Sequence, residues 1–215
     1  MEENKFDFSG QQEKQQNSSA LKSVGIEIFS WIKTIVIVVV ITMLLTKFVI
    51  ISAKVPSGSM ENTIMTGDRL IGARFLYWFD NPKREDIVLF QYPVNPDILY
   101  IKRCIGLPGE TVEIKEGKIY INGSKTPLKE DYLKEEWTVR NDGLVFHVPD
   151  DCYLMLGDNR NNSEDSRYWA EKAVEEGLAS TEAGAERYSY VKRYQIKAKA
   201  VFKYFKSFDI LLNDK

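Results

Sequence analysis

TVEIKEGKIYING, Thr111 to Gly123, decides what kind of fold this chain has. Val112 and Ile114 alternate with polar residues, Glu116-Gly117 supplies a turn, and Ile119 and Ile121 resume the alternation. A period of two on both sides of a two-residue turn predicts a β-hairpin with one buried face. The same grammar continues in both directions, as short apolar runs between turn residues: RLIGARF, DIVLFQYP, ILYIKRCIGLPG, GLVFHVP, CYLMLGDN and IKAKAVFKYF. Such spacing predicts a mostly β domain over residues 54–215. One segment departs from it. AEKAVEEGLASTEAGAER, Ala170 to Arg187, is rich in Ala and Glu and reads as a short helical insertion broken near Gly177.

The chain has 215 residues, 44% of them hydrophobic, which is enough for one cored domain and an appendage. A net charge of −2, with Lys and Arg spread along the chain, gives no basic footprint for nucleic acid. Cys104 and Cys152 show no metal-ligand spacing, so no metal site is expected and both read as small buried thiols; a disulfide between them is the minor alternative. No cofactor motif is present.

Upstream lies the longest apolar run, from Phe29 to Ala53. It holds 13 uncharged positions between Lys33 and Lys47 and six more from Phe48 to Ala53. Thirteen is short for a bilayer that needs about 20 residues, so the span requires a lysine to snorkel its ammonium to the headgroups. Trp31 fits an interfacial anchor. The expected organisation is a disordered tail over 1–28, a transmembrane anchor over 29–53 and a β-rich domain over 54–215, which the resemblance given below makes the catalytic one. A cleaved leader is disfavoured because Ile51 stands where a small residue is wanted. Basic residues flank both ends, so charge does not orient the span.

The chemistry centres on KVPSGSM, Lys54 to Met60, which places Ser57 and Ser59 just past the anchor. A serine hydroxyl needs a positioned base, and the single histidine, His147, lies in a strand-like run with no triad motif around it. A lysine made neutral by burial can serve instead. Lys102, in LYIKRCIGLPGE, has the apolar neighbours that would desolvate an amine, although a strand lysine is usually a solvated one. A third stretch, GDNRNNSEDSRYW from Gly157 to Trp169, is dense in Asn, Asp, Ser and Arg; it is either a polar turn or a charge network that stiffens a site.

In this order, PSGSM, YIKRCIGLPGE and GDNRNNSEDSRYW closely resemble the boxes of type I signal peptidases. The resemblance implies Ser59 as nucleophile, Lys102 as general base, and Ser57 as oxyanion donor with the Ser59 backbone N–H. It further implies Ser163 as the residue orienting the lysine amine, Asp165 and Arg167 as a structural ion pair, and Gly157, Asp158 and Asn159 as the floor of the site. The fold it implies is a β-rich catalytic core with a smaller inserted β region. The partners it implies are signal peptides of exported preproteins, cut after a small residue, and a lipid bilayer, with a monomeric enzyme. The expected location is the plasma membrane, single-pass, with the N-terminus cytoplasmic and the catalytic domain outside.

Three positions depart from the family pattern: Asn62 where proline is usual, Glu85 where glycine is usual, and Asn161 where aspartate is usual. They lend what support there is to a rival reading as a membrane-tethered β-domain that binds peptides without cutting them. A self-cleaving repressor-type Ser/Lys protease would lack the anchor and carry a DNA-binding module. Arg74 to Phe79, RFLYWF, reads first as a strand with half its side chains in the core, and second as a membrane-contacting rim at Trp78 and Phe79.

Overall fold

A computed structural model describes residues 9–138, 141–204 and 209–211. The chain forms two units, residues 1–47 and 48–215. The first is dominated by helix α1, Ser9–Leu44, which passes into one π-helical turn at Leu45–Val49. Within it Glu27–Val49 is long and apolar enough to cross a membrane. At 1.5 Å per residue its 23 residues reach about 34 Å, against a hydrocarbon core of about 30 Å.

Two boundaries differ from the sequence expectation. Residues 1–8 of the expected disordered tail lie outside the described residues, and from Ser9 onward the tail is helical. At the other end, Ile50–Lys54 is not anchor but strand β1. An unbroken apolar run hides this change, because a helix entering lipid and a strand entering a core select the same side chains.

The second unit is built on a curled eight-stranded antiparallel sheet. Its strands are β1, β2 (Arg69–Ala73), β3 (Ile87–Gln91), β4 (Leu99–Gly106), β8 (Cys152–Leu156), β9 (Val191–Lys192), β10 (Ile196–Tyr204) and β11 (Asp209–Ile210). The order across it is β1-β2-β10-β3-β4-β8-β9, with β11 beside β10. Between β4 and β8 the chain leaves to form a three-stranded sheet, β6-β5-β7, from β5 (Thr111–Lys115), β6 (Lys118–Ile121) and β7 (Val145–His147). This is the mostly β architecture with a smaller inserted β region. The β5–β6 hairpin pairs Lys115 with Lys118 across Glu116-Gly117. Both turn residues have positive φ, 50° and 65°, as a two-residue hairpin turn requires.

The central strands β3 and β8 are apolar at nearly every position because both faces of the sheet are covered there. In β3, Val88 and Phe90 enter one core while Ile87 and Leu89 enter another. In β8, Tyr153 and Met155 join the first, whereas Leu154 and Leu156 join a third core shared with the hairpin residues Val112, Ile114 and Ile119. Alternation along each strand thus sorts side chains between cores rather than between core and water. The segment 170–187 supplies helices α2 (Trp169–Glu175) and α3 (Glu182–Ala185), packed on the first core through Trp169, Ala173 and Ala185.

RFLYWF is not a strand. Phe75–Tyr77 is a 3₁₀ turn in which Tyr77 is buried and donates to Asp86 at 2.8 Å. Trp78 and Phe79 stand outside at 56% and 95% exposure, as a rim would require. Cys104 and Cys152 are both buried and unpaired, as expected of small core thiols.

Candidate active site

Strand β4 carries the cation of the site. Its first half pairs with β3, from Leu99↔Gln91 to Arg103↔Ile87, and its second half pairs with β8 from Arg103 onward. Lys102 sits at that switch and is 4% exposed. Burial pushes its amine down from the usual lysine value to about 8, while the Asp165 and Glu164 carboxylates pull weakly the other way.

The loop between β1 and β2 carries the serine. Met60 and Ile64 are sunk in the core that Ile87 and Leu89 enter, beneath β1, β2 and β10, and fix the loop from below. Ser59 Oγ lies 2.5 Å from Lys102 Nζ, across a sequence separation of 43. Ser57 Oγ lies 3.4 Å from Ser59 Oγ. The two serines and the lysine therefore meet.

The segment after β8 holds this loop in place. Asn159 N donates to the Ser59 carbonyl at 3.1 Å, and Asn159 Nδ2 to the Gly58 carbonyl at 2.9 Å. At Gly157 an added Cβ would lie 2.5 Å from the Ser59 carbonyl oxygen, so only glycine permits the approach. Asp158 accepts a bidentate pair from Arg103 at 2.7 and 2.6 Å and a further bond from Thr63 at 2.5 Å, which ties the serine loop to β4.

Asp165 and Arg167 form a fully buried bidentate pair at 2.7 and 2.9 Å. Asp165 also accepts from Gly157 N at 3.0 Å. Burial works against the Asp165 charge, but Arg167 outweighs it and holds the carboxyl below the usual range. Ser163 reaches the same floor, against Gly157, yet its Oγ has no hydrogen-bond partner among the described residues, Lys102 included. The expected bond from Ser163 to the amine is therefore not made. His147 sits apart in the small sheet, beside Thr111.

Sequence reasoning missed several supports. Arg160 forms a buried ion pair with Glu130, 30 residues away in a loop, and its Nε donates to the Gly157 carbonyl at 2.9 Å. Arg103, beside Lys102 in β4, pairs with Asp158, 55 residues away. A buried cation next to another cation in an apolar strand was the available signal. The three departures each have a local role. Asn62 has φ 89°, a value proline cannot take, and its amide donates to the Tyr132 and Leu133 carbonyls at 3.1 and 3.2 Å. Asn161 Nδ2 donates to the Glu136 carbonyl at 2.8 Å, a bond an aspartate could not make. Glu85 has φ 71°, which favours glycine.

A cleft of about 460 Å³ opens over these groups, lined by Ala53, Lys54 and Val55 on one side and Leu99, Tyr100 and Ile101 on the other. Ser57, Ser59 and Lys102 also line it. Among the described residues no cluster of His, Cys, Asp or Glu is placed to hold a metal ion.

The sequence pattern of the signal peptidase, peptidase S26, family matches residues 28–205. The chain belongs to that family. Signal peptidase I of Leptolyngbya laminosa is 41% identical over 150 residues, covering 64% of this chain and 70% of its own. Signal peptidase I of Pseudomonas aeruginosa is 32% identical over 178 residues, covering 66% of this chain and 63% of its own. The chain thus spans between 63% and 70% of these relatives' lengths. A crystal structure of a signal peptidase I from Enterococcus faecalis V583 is 32% identical, covers 56% of this chain and 97% of its own, and has a TM-score of 0.40. Assignment to the peptidase S26 family rests on the sequence matches.

Proposed function

We propose that this peptidase S26 family member is a membrane-anchored serine endopeptidase that removes signal peptides from exported preproteins with a Ser59/Lys102 dyad. The observation that carries the reading is the 2.5 Å contact between Ser59 Oγ and the amine of a lysine whose burial lowers its pKa to about 8. Neutral Lys102 takes the Ser59 hydroxyl proton as Oγ attacks the scissile carbonyl carbon. The oxyanion forms against the Ser57 hydroxyl and the Ser59 backbone N–H, donors typically worth a few kcal/mol of barrier each. The lysine ammonium then protonates the leaving amine, leaving an acyl group on Ser59. Water, deprotonated by the same amine, releases it. Asp158, Asn159, Asp165 and Arg167 hold the geometry.

Substrate binding follows from two open edges. β1 is the terminal strand of its sheet, and Leu99–Lys102 of β4 pair on one side only. Both edges line the cleft, so an extended peptide can add as a strand between them. Val55, Leu99 and Ile101 give the cleft an apolar lining, which suits Ala-like side chains. The membrane partner is read from Glu27–Val49 as a single-pass anchor, with Trp78 and Phe79 at the interface, the N-terminus cytoplasmic and a monomeric catalytic unit outside. Asn62 and Asn161 no longer favour a non-catalytic binding domain, because each makes structural bonds of its own. Incubation with a preprotein in detergent, followed by sequencing of the product N-terminus, tests the reading. Cleavage at one bond after a small residue, lost in Ser59→Ala, is expected; cleavage by the variant at the parental rate overturns it.

A further inference from the structure

Helix α2 takes no part in the chemistry above, yet it backs one wall of the cleft. Its first residue, Trp169, is fully buried and packs edge-on against Tyr92 and Tyr100, with ring centroids 5.5 and 6.2 Å away. Those two tyrosines stack 4.3 Å apart and 2° from parallel. Both hydroxyls donate to one atom, Glu164 Oε1, Tyr92 at 3.1 Å and Tyr100 at 3.3 Å. Burial pushes both phenols up, Tyr100 to about 12, so both remain donors at any pH near neutrality.

Glu164 itself is exposed and lines the cleft with Tyr100, Lys102 and Asn162. A surface glutamate ordinarily samples many rotamers; two phenolic donors aimed at one oxygen fix this one. Its other oxygen, Oε2, accepts no hydrogen bond among the described residues. Among the residues lining the cleft it is the one carboxylate. Lys172 of α2 lies within its field but is paired with Glu175 at 2.9 Å.

We propose that Glu164, held by Tyr92 and Tyr100 and backed by Trp169, reads charge in the substrate: it favours a peptide with a cationic or amide donor beside the scissile bond and rejects a carboxylate there. The inference rests on the signal-peptidase reading of the cleft. A substrate carboxylate entering this wall gives up hydration to meet a fixed like charge, whereas a lysine or amide finds an acceptor already oriented. The insertion that follows Trp169 then has a role, since its Ala173 and Ala185 pack in the core that holds the indole behind the tyrosine stack.

The experiment uses the full chain in detergent and preproteins that differ at a single residue, Lys, Gln or Glu, placed in turn at each of the three positions on either side of the scissile bond. For the parent, kcat/KM for the Lys form should exceed that for the Glu form about three- to fivefold at one position or more. The ratio should shrink as salt is raised. Glu164→Gln should bring it close to one, and Glu164→Lys should invert it. A parent that cleaves all forms equally, or a preference that survives in both variants, overturns the inference while leaving the peptidase reading intact. A parent that cleaves none of them removes that reading and this inference together.

Discussion

At the scale of the residue, Lys102 is where function and stability conflict. Its folded pKa of about 8 lies below the unfolded lysine value, so between those two values the unfolded chain binds more protons. Stability from this group therefore rises with pH across that window, and below about 8 the full cost of burying an ammonium is present. Lys102→Met should accordingly raise thermal stability at pH 7 by about 1–3 kcal/mol while abolishing cleavage. Calorimetry of the two proteins checks it, and a lower melting temperature for the variant would show that the lysine is not strained. As the proposed base, the same residue should set the pH–rate profile. The charges acting on it are Asp165, Glu164 and Asp158, which favour the ammonium, and Arg167, which opposes it. kcat/KM should climb through an apparent pKa near 8 and level off above it; a limb centred near 6.5 would point to a histidine instead.

At the scale of the element, the hairpin over Thr111–Gly123 was legible because period and turn chemistry are local properties. The 3₁₀ turn at Phe75–Tyr77 was not, since a run of aromatics fits a strand or a turn equally and the deciding bond, from Tyr77 to Asp86, is tertiary. Strand β1 was hidden for a related reason: its outward identity depends on pairing with β2, which the sequence of residues 50–54 does not contain. The turn before β3 supplies a prediction. Glu85 sits at φ 71°, while its N–H donates to the Cys104 carbonyl at 2.8 Å and its carbonyl accepts from Arg103 at 2.8 Å, so the conformation is held from both sides. Removing the Cβ relieves left-handed strain worth about 1–2 kcal/mol and returns part of it as unfolded-state freedom. Glu85→Gly should thus raise the melting temperature by about 1–4 °C without altering kcat. A fall in melting temperature would contradict this account of the turn.

At the scale of the molecule, the site is a product of the sheet's curl. Ser59 comes from a loop beside the edge strand and Lys102 from the middle of the sheet, and only long-range pairing brings them to 2.5 Å. The sequence carried the identity of these groups through three short boxes, because their residue types are dictated by chemistry. It did not carry the scaffold. Glu130 with Arg160, and Thr63 and Arg103 with Asp158, join segments whose spacing has no period to detect. The glycine at 157 was legible as part of a box, but its reason is a carbonyl contributed by residue 59.

The central claim is that Ser59 and Lys102 act as one catalytic unit. Steady-state cleavage of a preprotein by the parent, Ser59→Ala, Lys102→Ala and the double variant measures it directly. Each single substitution should lower kcat/KM by at least about 1,000-fold, and the double variant should fall no further, since a unit missing one member is already disabled. A single variant near the parental rate, or a double variant whose loss is the product of the two single losses, would contradict the dyad.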